Sequence, residues 1–136
     1  APWTSERGPI GSIAVSPGGK QLAAACLRDG AIDVLSGAGD PFTLRPEGEA
    51  KLDPKVVPPA LAKAGKEAAR KQMAAAVRGL GAREYLDANR LLSIDAVGAG
   101  IWNTATGEYQ ALCEFGAWAR RFVPRIVGVS PKRDQV

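Results

Sequence analysis

The side chains that most enzymes use for acid–base and nucleophilic chemistry are scarce in this 136-residue chain. It contains no histidine, which removes Ser-His-Asp and Cys-His catalysis and most zinc sites. No glycine-rich phosphate loop follows a candidate strand. The 14 carboxylates leave a carboxylate-dependent hydrolase as an alternative, although none of them forms a recognisable acid–base pair. We therefore expect a protein that is not an enzyme and that uses no cofactor and no metal.

Two cysteines, Cys26 and Cys113, are the remaining reactive side chains. Both lie in apolar segments that have the pattern of strands. In an exported protein they could pair, and the disulfide would contribute about 4–5 kcal/mol in the chain-entropy model. Two buried free thiols are an equal alternative, because free cysteines are common in cores.

Positive charge is concentrated in one segment. The chain has 18 Lys and Arg against 14 Asp and Glu, which gives a net charge of +4. Segment 56–79 carries this excess, and its charged residues are Lys63, Lys66, Arg70, Lys71, Arg78 and Glu67. The segment has no aromatic residue to stack on bases, so we expect a solvated helix face and no nucleic-acid partner. A patch for an acidic partner is the alternative.

The sequence segments that must position these residues resemble each other and form a repeat. Segment 13–25 consists of an apolar run, the bend Ser16-Pro17 and a second apolar run, and segment 126–136 repeats it around Ser130-Pro131. Segment 85–93 is a weaker copy with the same order of strand, polar turn and strand. Self-similarity of this kind indicates a repeat architecture.

The spacing of the copies predicts one insertion. Leu91 and Val136 are 45 residues apart, whereas Leu22 and Leu91 are 69 apart, which leaves 24 residues for a helix at 56–79. The helix is expected to begin near Pro58-Pro59 and to end in a left-handed cap at Gly79 or Gly81. Its apolar stripe is predicted to be Leu61, Ala69, Met73, Val77 and Leu80. Strands are predicted at 10–15, 21–27, 31–35, 42–45, 91–95, 100–103, 109–115 and 125–129.

The first two copies both contain residues typical of hairpin turns. These are Arg28-Asp29-Gly30 in one copy and, in the other, Trp102-Asn103 before the turn 104–108. This resembles the WD40 or YVTN type of β-propeller repeat, in which Trp102-Asn103 would take the place of the Trp-Asp pair. The lack of histidine favours the YVTN-like type. The resemblance implies a mainly β fold of incomplete, propeller-like antiparallel blades, about 2.3 copies with one inserted α-helix. The single domain 1–136 would divide into copy one at about 10–48, the helical insertion at about 56–80, copy two at about 82–118 and a partial copy three at about 122–136.

Propeller-like repeats present loops to other macromolecules, which implies a non-enzymatic protein-binding module. In architecture and size the chain also resembles the periplasmic immunity proteins that neutralise peptidoglycan-cleaving amidase effectors of type VI secretion. That resemblance implies an inhibitor that blocks a secreted cell-wall hydrolase or toxin by inserting a loop. The predicted partner contacts are Arg28, Asp29, Arg90, Ser93 and Asp95. The alternative is a fragment or subunit of a larger propeller scaffold that is completed by self-association.

Location and membrane contact are read from the N-terminus and from hydropathy. The chain begins Ala1-Pro2-Trp3 without Met, as it would after removal of a signal peptide or after trimming. We expect a periplasmic or secreted protein, with the cytoplasm as the alternative. No run of 18 apolar residues occurs, so we expect no membrane span.

Overall fold

The computed structural model describes residues 4–37, 41–47, 66–95 and 97–115. These residues are mainly β with one helix, which confirms the predicted fold class. The elements are β1 (Ile10–Val15), β2 (Gln21–Cys26), β3 (Ile32–Ser36), β4 (Phe42–Leu44), α1 (Lys66–Gly79), β5 (Ala82–Tyr85), β6 (Arg90–Ile94), β7 (Gly98–Asn103) and β8 (Tyr109–Glu114). The predicted strand at 125–129, the partial third copy and the start of the helix lie outside the described residues.

The strands form two antiparallel meanders of four. Sheet 1 has the order β1-β2-β3-β4 and sheet 2 the order β5-β6-β7-β8. Each sheet falls within one predicted copy, and α1 lies between them in the chain. That the sheets are propeller blades stays a prediction.

Polar side chains fix the turn between the first two strands of each sheet. In sheet 1 the Ser16 hydroxyl accepts a hydrogen bond from the backbone N–H of Gln21 at 2.8 Å, and Gly18 and Gly19 take positive φ. In sheet 2 the Asp87 carboxylate accepts hydrogen bonds from two backbone N–H groups of its own turn. Ser16 and Asp87 therefore both accept backbone hydrogen bonds that stabilise equivalent turns.

The two sheets have equivalent registers. Val15 pairs with Leu22 and Leu22 with Leu35 in sheet 1, one rung from the turn. The corresponding rungs of sheet 2 join Tyr85, Leu91 and Trp102. We call the face with these residues the back face of each sheet. The front face carries Ala23 in sheet 1 and Leu92 in sheet 2, because neighbouring residues on a strand point to opposite sides.

The core lies between the front face of sheet 1 and the back face of sheet 2. Its members are Ala23, Ala25, Ile32, Val34 and Leu44 from sheet 1 and Tyr85, Leu91 and Trp102 from sheet 2, with Ala14 packed against them. Small alanines on one sheet thus face large rings on the other, which fills the space between them. The sheets are also joined by the Gln21 side chain, which accepts hydrogen bonds from the hydroxyls of Tyr85 and Thr104. The two sheets therefore stack front to back.

Close backbone approach explains the glycines at the end of α1. The predicted left-handed cap is wrong, because neither Gly79 nor Gly81 has a positive φ. A Cβ on Gly79 would lie 2.5 Å from the carbonyl oxygen of Cys26, and one on Gly81 would lie 2.0 Å from that of Ile94. Only glycine lets the helix end and the start of β5 pass so close to the two sheets.

The buried side of α1 differs from the predicted apolar stripe. The helix packs on β1 and β2, and its buried side chains include Ala74 and Arg78. Leu80, which was expected in the stripe, is 44% exposed, and Met73 is half-buried. The helix is turned this way because Arg78 has an ionic partner inside the protein.

Candidate functional site

A buried ion cluster joins α1 to the turn between β6 and β7. Arg78 Nε donates to Asp95 Oδ2 at 3.2 Å, and Arg83 Nη2 lies 3.9 Å from the same oxygen. Asp95 Oδ1 accepts hydrogen bonds from the backbone N–H groups of Val97 and Gly98. Burial lowers the pKa of Arg83 to about 10, although Asp95 opposes this effect. One carboxylate thus serves two guanidinium groups in the protein interior.

Arg83 ties three segments together. Its guanidinium donates to the carbonyl oxygens of Arg78 and Gly79 and, at 3.2 Å, to the Ser12 hydroxyl on β1. Its Nε has no hydrogen-bond partner. These hydrogen bonds hold the helix and both sheets together, because each of them satisfies a buried carbonyl or hydroxyl oxygen that water cannot reach.

Sheet 1 has a more exposed version of the same arrangement. Arg7, which precedes β1, lies 3.3 Å from Asp29 and 3.2 Å from Asp33. Its Nη2 also donates to the Thr43 hydroxyl at 3.1 Å. In both sheets, therefore, an arginine ahead of the first strand pairs with an aspartate in the turn between the second and third strands. The two sheets share this pairing.

The five predicted contact residues do not form one surface. Arg28 and Asp29 lie in an exposed turn at one end of sheet 1, and Arg90 lies at the opposite end of sheet 2. Ser93 is 4% and Asp95 5% exposed, so neither side chain can reach a partner in this conformation. Ser93 lies on the back face of sheet 2, which sheet 1 covers, and Asp95 is buried in its ion cluster with Arg78 and Arg83. Partner contacts at Arg28, Asp29 and Arg90 stay predictions.

Both cysteines are free thiols, so the disulfide alternative is not the state of this structure. Cys26 lies on the back face of sheet 1, which points away from sheet 2 and from Cys113. The expected apolar setting of Cys26 is wrong, because its sulfur lies 3.8 Å from the Ser5 hydroxyl and 3.9 Å from Asp33 Oδ2. Burial raises the pKa of the Cys26 thiol, so it stays protonated and inert. Cys113 is exposed on β8.

Large apolar side chains are exposed on two strands. On β1, Ile13 is 61% and Val15 56% exposed, and both belong to the back face of sheet 1. On and just after β8, Tyr109, Leu112 and Phe115 are exposed as well. Grouped apolar exposure is typical of protein-interaction surfaces. The exposed surface on β1 was not predicted from the sequence, although segment 10–15 has no charged residue to mark either of its faces as solvated.

A groove of 410 Å³ lies between the outer strands of the two sheets. Its lining includes Arg45, Glu47, Trp102, Tyr109 and Cys113. The rings of Trp102 and Tyr109 are 4.7 Å apart at 43°, and burial raises the pKa of Tyr109. The groove mixes opposite charges with aromatic surface.

Within 4–37, 41–47, 66–95 and 97–115, no three His, Cys, Asp or Glu side chains are grouped so that they could hold a metal ion. The one helix in that part of the chain is too short and too polar to cross a bilayer.

No protein-family model, no curated protein and no solved structure matches this chain.

Proposed function

We propose that this chain is a non-enzymatic protein-binding module of propeller-like repeats. The observation that carries the proposal is the exposure of Ile13 and Val15, side by side on the back face of a rigid sheet. A partner that covers them removes apolar surface from water, and roughly 1–2 kcal/mol follows for each side chain that becomes buried. Backbone pairing holds β1 in place, so little ordering entropy opposes binding.

The polar groups support the same proposal. The buried ones, such as Arg83 and Asp95, form their hydrogen bonds and ion pairs within the scaffold. On the surface, Arg90 forms an ion pair with Asp87 of its own turn at 2.6 Å. A scaffold whose ionic groups fix its own turns is suited to presenting a surface of constant shape.

The finer form of the proposal is an inhibitor that enters the cleft of a secreted hydrolase with the turn 27–31. Arg28 is exposed at its tip, and the Asp29 carboxylate accepts a hydrogen bond from the Ala31 N–H at 3.0 Å. Gly30 takes a positive φ and donates to the Cys26 carbonyl at 3.0 Å. A turn held in this way loses little freedom on insertion, which favours tight binding. This use requires export, as the sequence predicts.

The test is a comparison of matched baits in a native extract. Wild-type chain, an Ile13→Lys/Val15→Lys variant and a Leu80→Lys control are immobilised, and captured proteins are identified by mass spectrometry. The control places a lysine at another exposed apolar residue, which is not part of β1. We expect a protein that binds wild type and control and is lost from the β1 variant, with a 1:1 stoichiometry when purified.

A second bait separates the finer form from the general one. Arg28→Glu reverses the charge at the turn tip without touching β1. If the turn enters a cleft, this variant loses the partner and no longer inhibits the partner's hydrolytic activity. If capture is identical for all baits, binding does not use these surfaces and the proposed function is wrong.

A further inference from the structure

We infer that the outer edge of sheet 2, together with the groove beside it, is a binding site for an extended segment of a partner protein. The segment would add to sheet 2 as a fifth strand next to β8. This site is separate from Ile13 and Val15, so it goes beyond the surface on which the proposed function rests.

The outer edge of sheet 2 is open. β8 is the last strand of this sheet, and within the described residues it pairs with β7 alone. All six of its residues, 109 to 114, are exposed. In the described part of the chain, the side of β8 away from β7 therefore presents backbone N–H and C=O groups to solvent, which is a template for another strand.

The hydrogen bonds to β7 show which backbone groups point outward. The Asn103 N–H donates to the Glu108 carbonyl at 2.8 Å, so Glu108 belongs to a hydrogen-bonded pair. Residues of an antiparallel strand alternate between bonding to one neighbour and pointing away from it. Gln110 therefore faces β7 as well, and Tyr109 and Ala111 direct their N–H and C=O groups to the open side.

The outer edge of sheet 1 is protected in a way that this edge is not. β4 has three residues and lies between Pro41 and the pair Arg45-Pro46. Short length, basic residues and proline are features that keep edge strands from pairing. β8 has six residues, none of them proline or basic. Its register shifts at Leu112, which has no partner on β7, but the outward-facing residues 109 and 111 lie before the shift.

The groove between β4 and β8 gives an added strand a place for its side chains. Tyr109 and Ala111 line it from β8, and Arg45 and Glu47 line it from the segment that follows β4. A strand beside β8 would direct every second side chain into the groove, because residues opposite each other share a face of the sheet. The volume of 410 Å³ takes the side chains of one strand and is too small for a second sheet, which favours a single extended segment.

The lining of the groove specifies the chemistry of the segment. Tyr109 is 45% exposed, and a β-branched or aromatic side chain opposite it would cover the ring. At the next position that faces the groove, opposite Ala111, the small methyl group leaves room for a longer side chain. Arg45 and Glu47 on the other wall favour a polar group there. The expected ligand is thus an extended segment with an apolar side chain two residues from a longer polar one.

Selection from a random library of displayed peptides of about ten residues, the upper length of ordinary strands, tests the site. Wild-type chain is the bait, and the affinity of each selected synthetic peptide is measured by fluorescence anisotropy. Ala111→Pro removes an outward N–H and blocks an incoming strand, but it leaves the hydrogen bonds to β7 in place. Ala111→Ser is the matched control, because it keeps the N–H. We expect binding at least about tenfold weaker for Ala111→Pro and unchanged for Ala111→Ser.

N-methylation of the selected peptide gives a second measurement, which holds even if circular dichroism shows that Ala111→Pro does not fold. A strand that pairs with β8 directs alternate N–H groups towards it. Methyl groups at those positions should abolish binding, and methyl groups at the positions between them should be tolerated. Loss at every position, or at none, would overturn strand addition.

The other outcomes separate this site from the surface on β1 and from self-pairing. If no peptide is selected, or if Ala111→Pro binds the peptides as wild type does, the inferred site is wrong. Peptides lost only from the Ile13→Lys/Val15→Lys variant bind the back face of sheet 1, which overturns this site and supports the proposed function. A wild-type chain that dimerises in gel filtration, while Ala111→Pro stays monomeric, would show that a second copy occupies the edge, against the inference. Peptide binding abolished by Ala111→Pro alone, with no protein captured through β1, would establish this site and refute the proposed function.

Discussion

The equivalent aspartates of the two sheets allow a matched test of the buried ion cluster. Asp95→Asn removes the charge that Arg78 and Arg83 share, but the amide oxygen can still accept the backbone hydrogen bonds of the turn. Asp29→Asn makes the same change in sheet 1. The two substitutions therefore differ in the burial of the arginines concerned, and Arg7 also keeps Asp33 at 3.2 Å as a second ionic partner.

The expected magnitudes differ several-fold. The side chains of Arg78, Asp95 and Arg83 are 8%, 7% and 1% exposed, and removing one partner of a buried pair costs about 3–5 kcal/mol. Asp29 and its partner Arg7 are about a third exposed, so water screens their attraction. For such pairs the cost is below about 1 kcal/mol.

Equilibrium unfolding in urea, followed by tryptophan fluorescence, measures both effects. We expect Asp95→Asn to lower the transition midpoint strongly at an unchanged slope, and Asp29→Asn to move it little. Comparable losses in the two variants would refute the reasoning, as would a loss below about 1 kcal/mol for Asp95→Asn. Either result would mean that burial does not decide the strength of these pairs.

Three further predictions concern packing, thiol reactivity and pH. Gly81→Ala should lower the free energy of unfolding by about 1–3 kcal/mol, because its methyl group would overlap a carbonyl of sheet 2. Gly37→Ala, which has open space around it, should be neutral or slightly stabilising, and urea unfolding of the pair checks this. A thiol reagent at neutral pH should modify Cys113 in the native protein and reach Cys26 only on unfolding; equal rates would contradict the assigned burial. Burial raises the pKa of Tyr85 to about 12, so its stabilisation is complete below pH 10 and is lost as pH rises towards 12. In Tyr85→Phe the free energy of unfolding that is lost between about pH 10 and pH 12 should be smaller than in wild type by on the order of 2 kcal/mol. A loss equal to that of wild type would refute this.

Local chemistry explains which parts of the fold could be predicted. The bounds of β1 match the prediction to the residue, because the Ser-Pro-Gly-Gly turn and the alternation before it act over a few residues. The bounds of β2 to β4 agree to within one residue for the same reason. Turn residues determine their own backbone, so a sequence reader can find them.

Long-range packing explains what could not be predicted. The strand β5 contains Arg83, whose burial depends on Asp95 twelve residues later and on Ser12 in the other sheet. Ser93 and Asp95 look like accessible polar residues until sheet 1 is placed over Ser93 and the helix residue Arg78 is placed against Asp95. The open back face is equally hidden, since alternation tells which residues share a face and not which face is covered.

Thiol labelling of two conservative variants tests the front-to-back stacking most directly. In a Cys113→Ser background, Val15→Cys puts the probe on the back face of sheet 1 and Ala25→Cys puts it on the front face, where Ala25 is 1% exposed. We expect fast labelling at position 15 and slow labelling at position 25. Equal rates at the two positions, or slower labelling at position 15 than at position 25, would contradict the account.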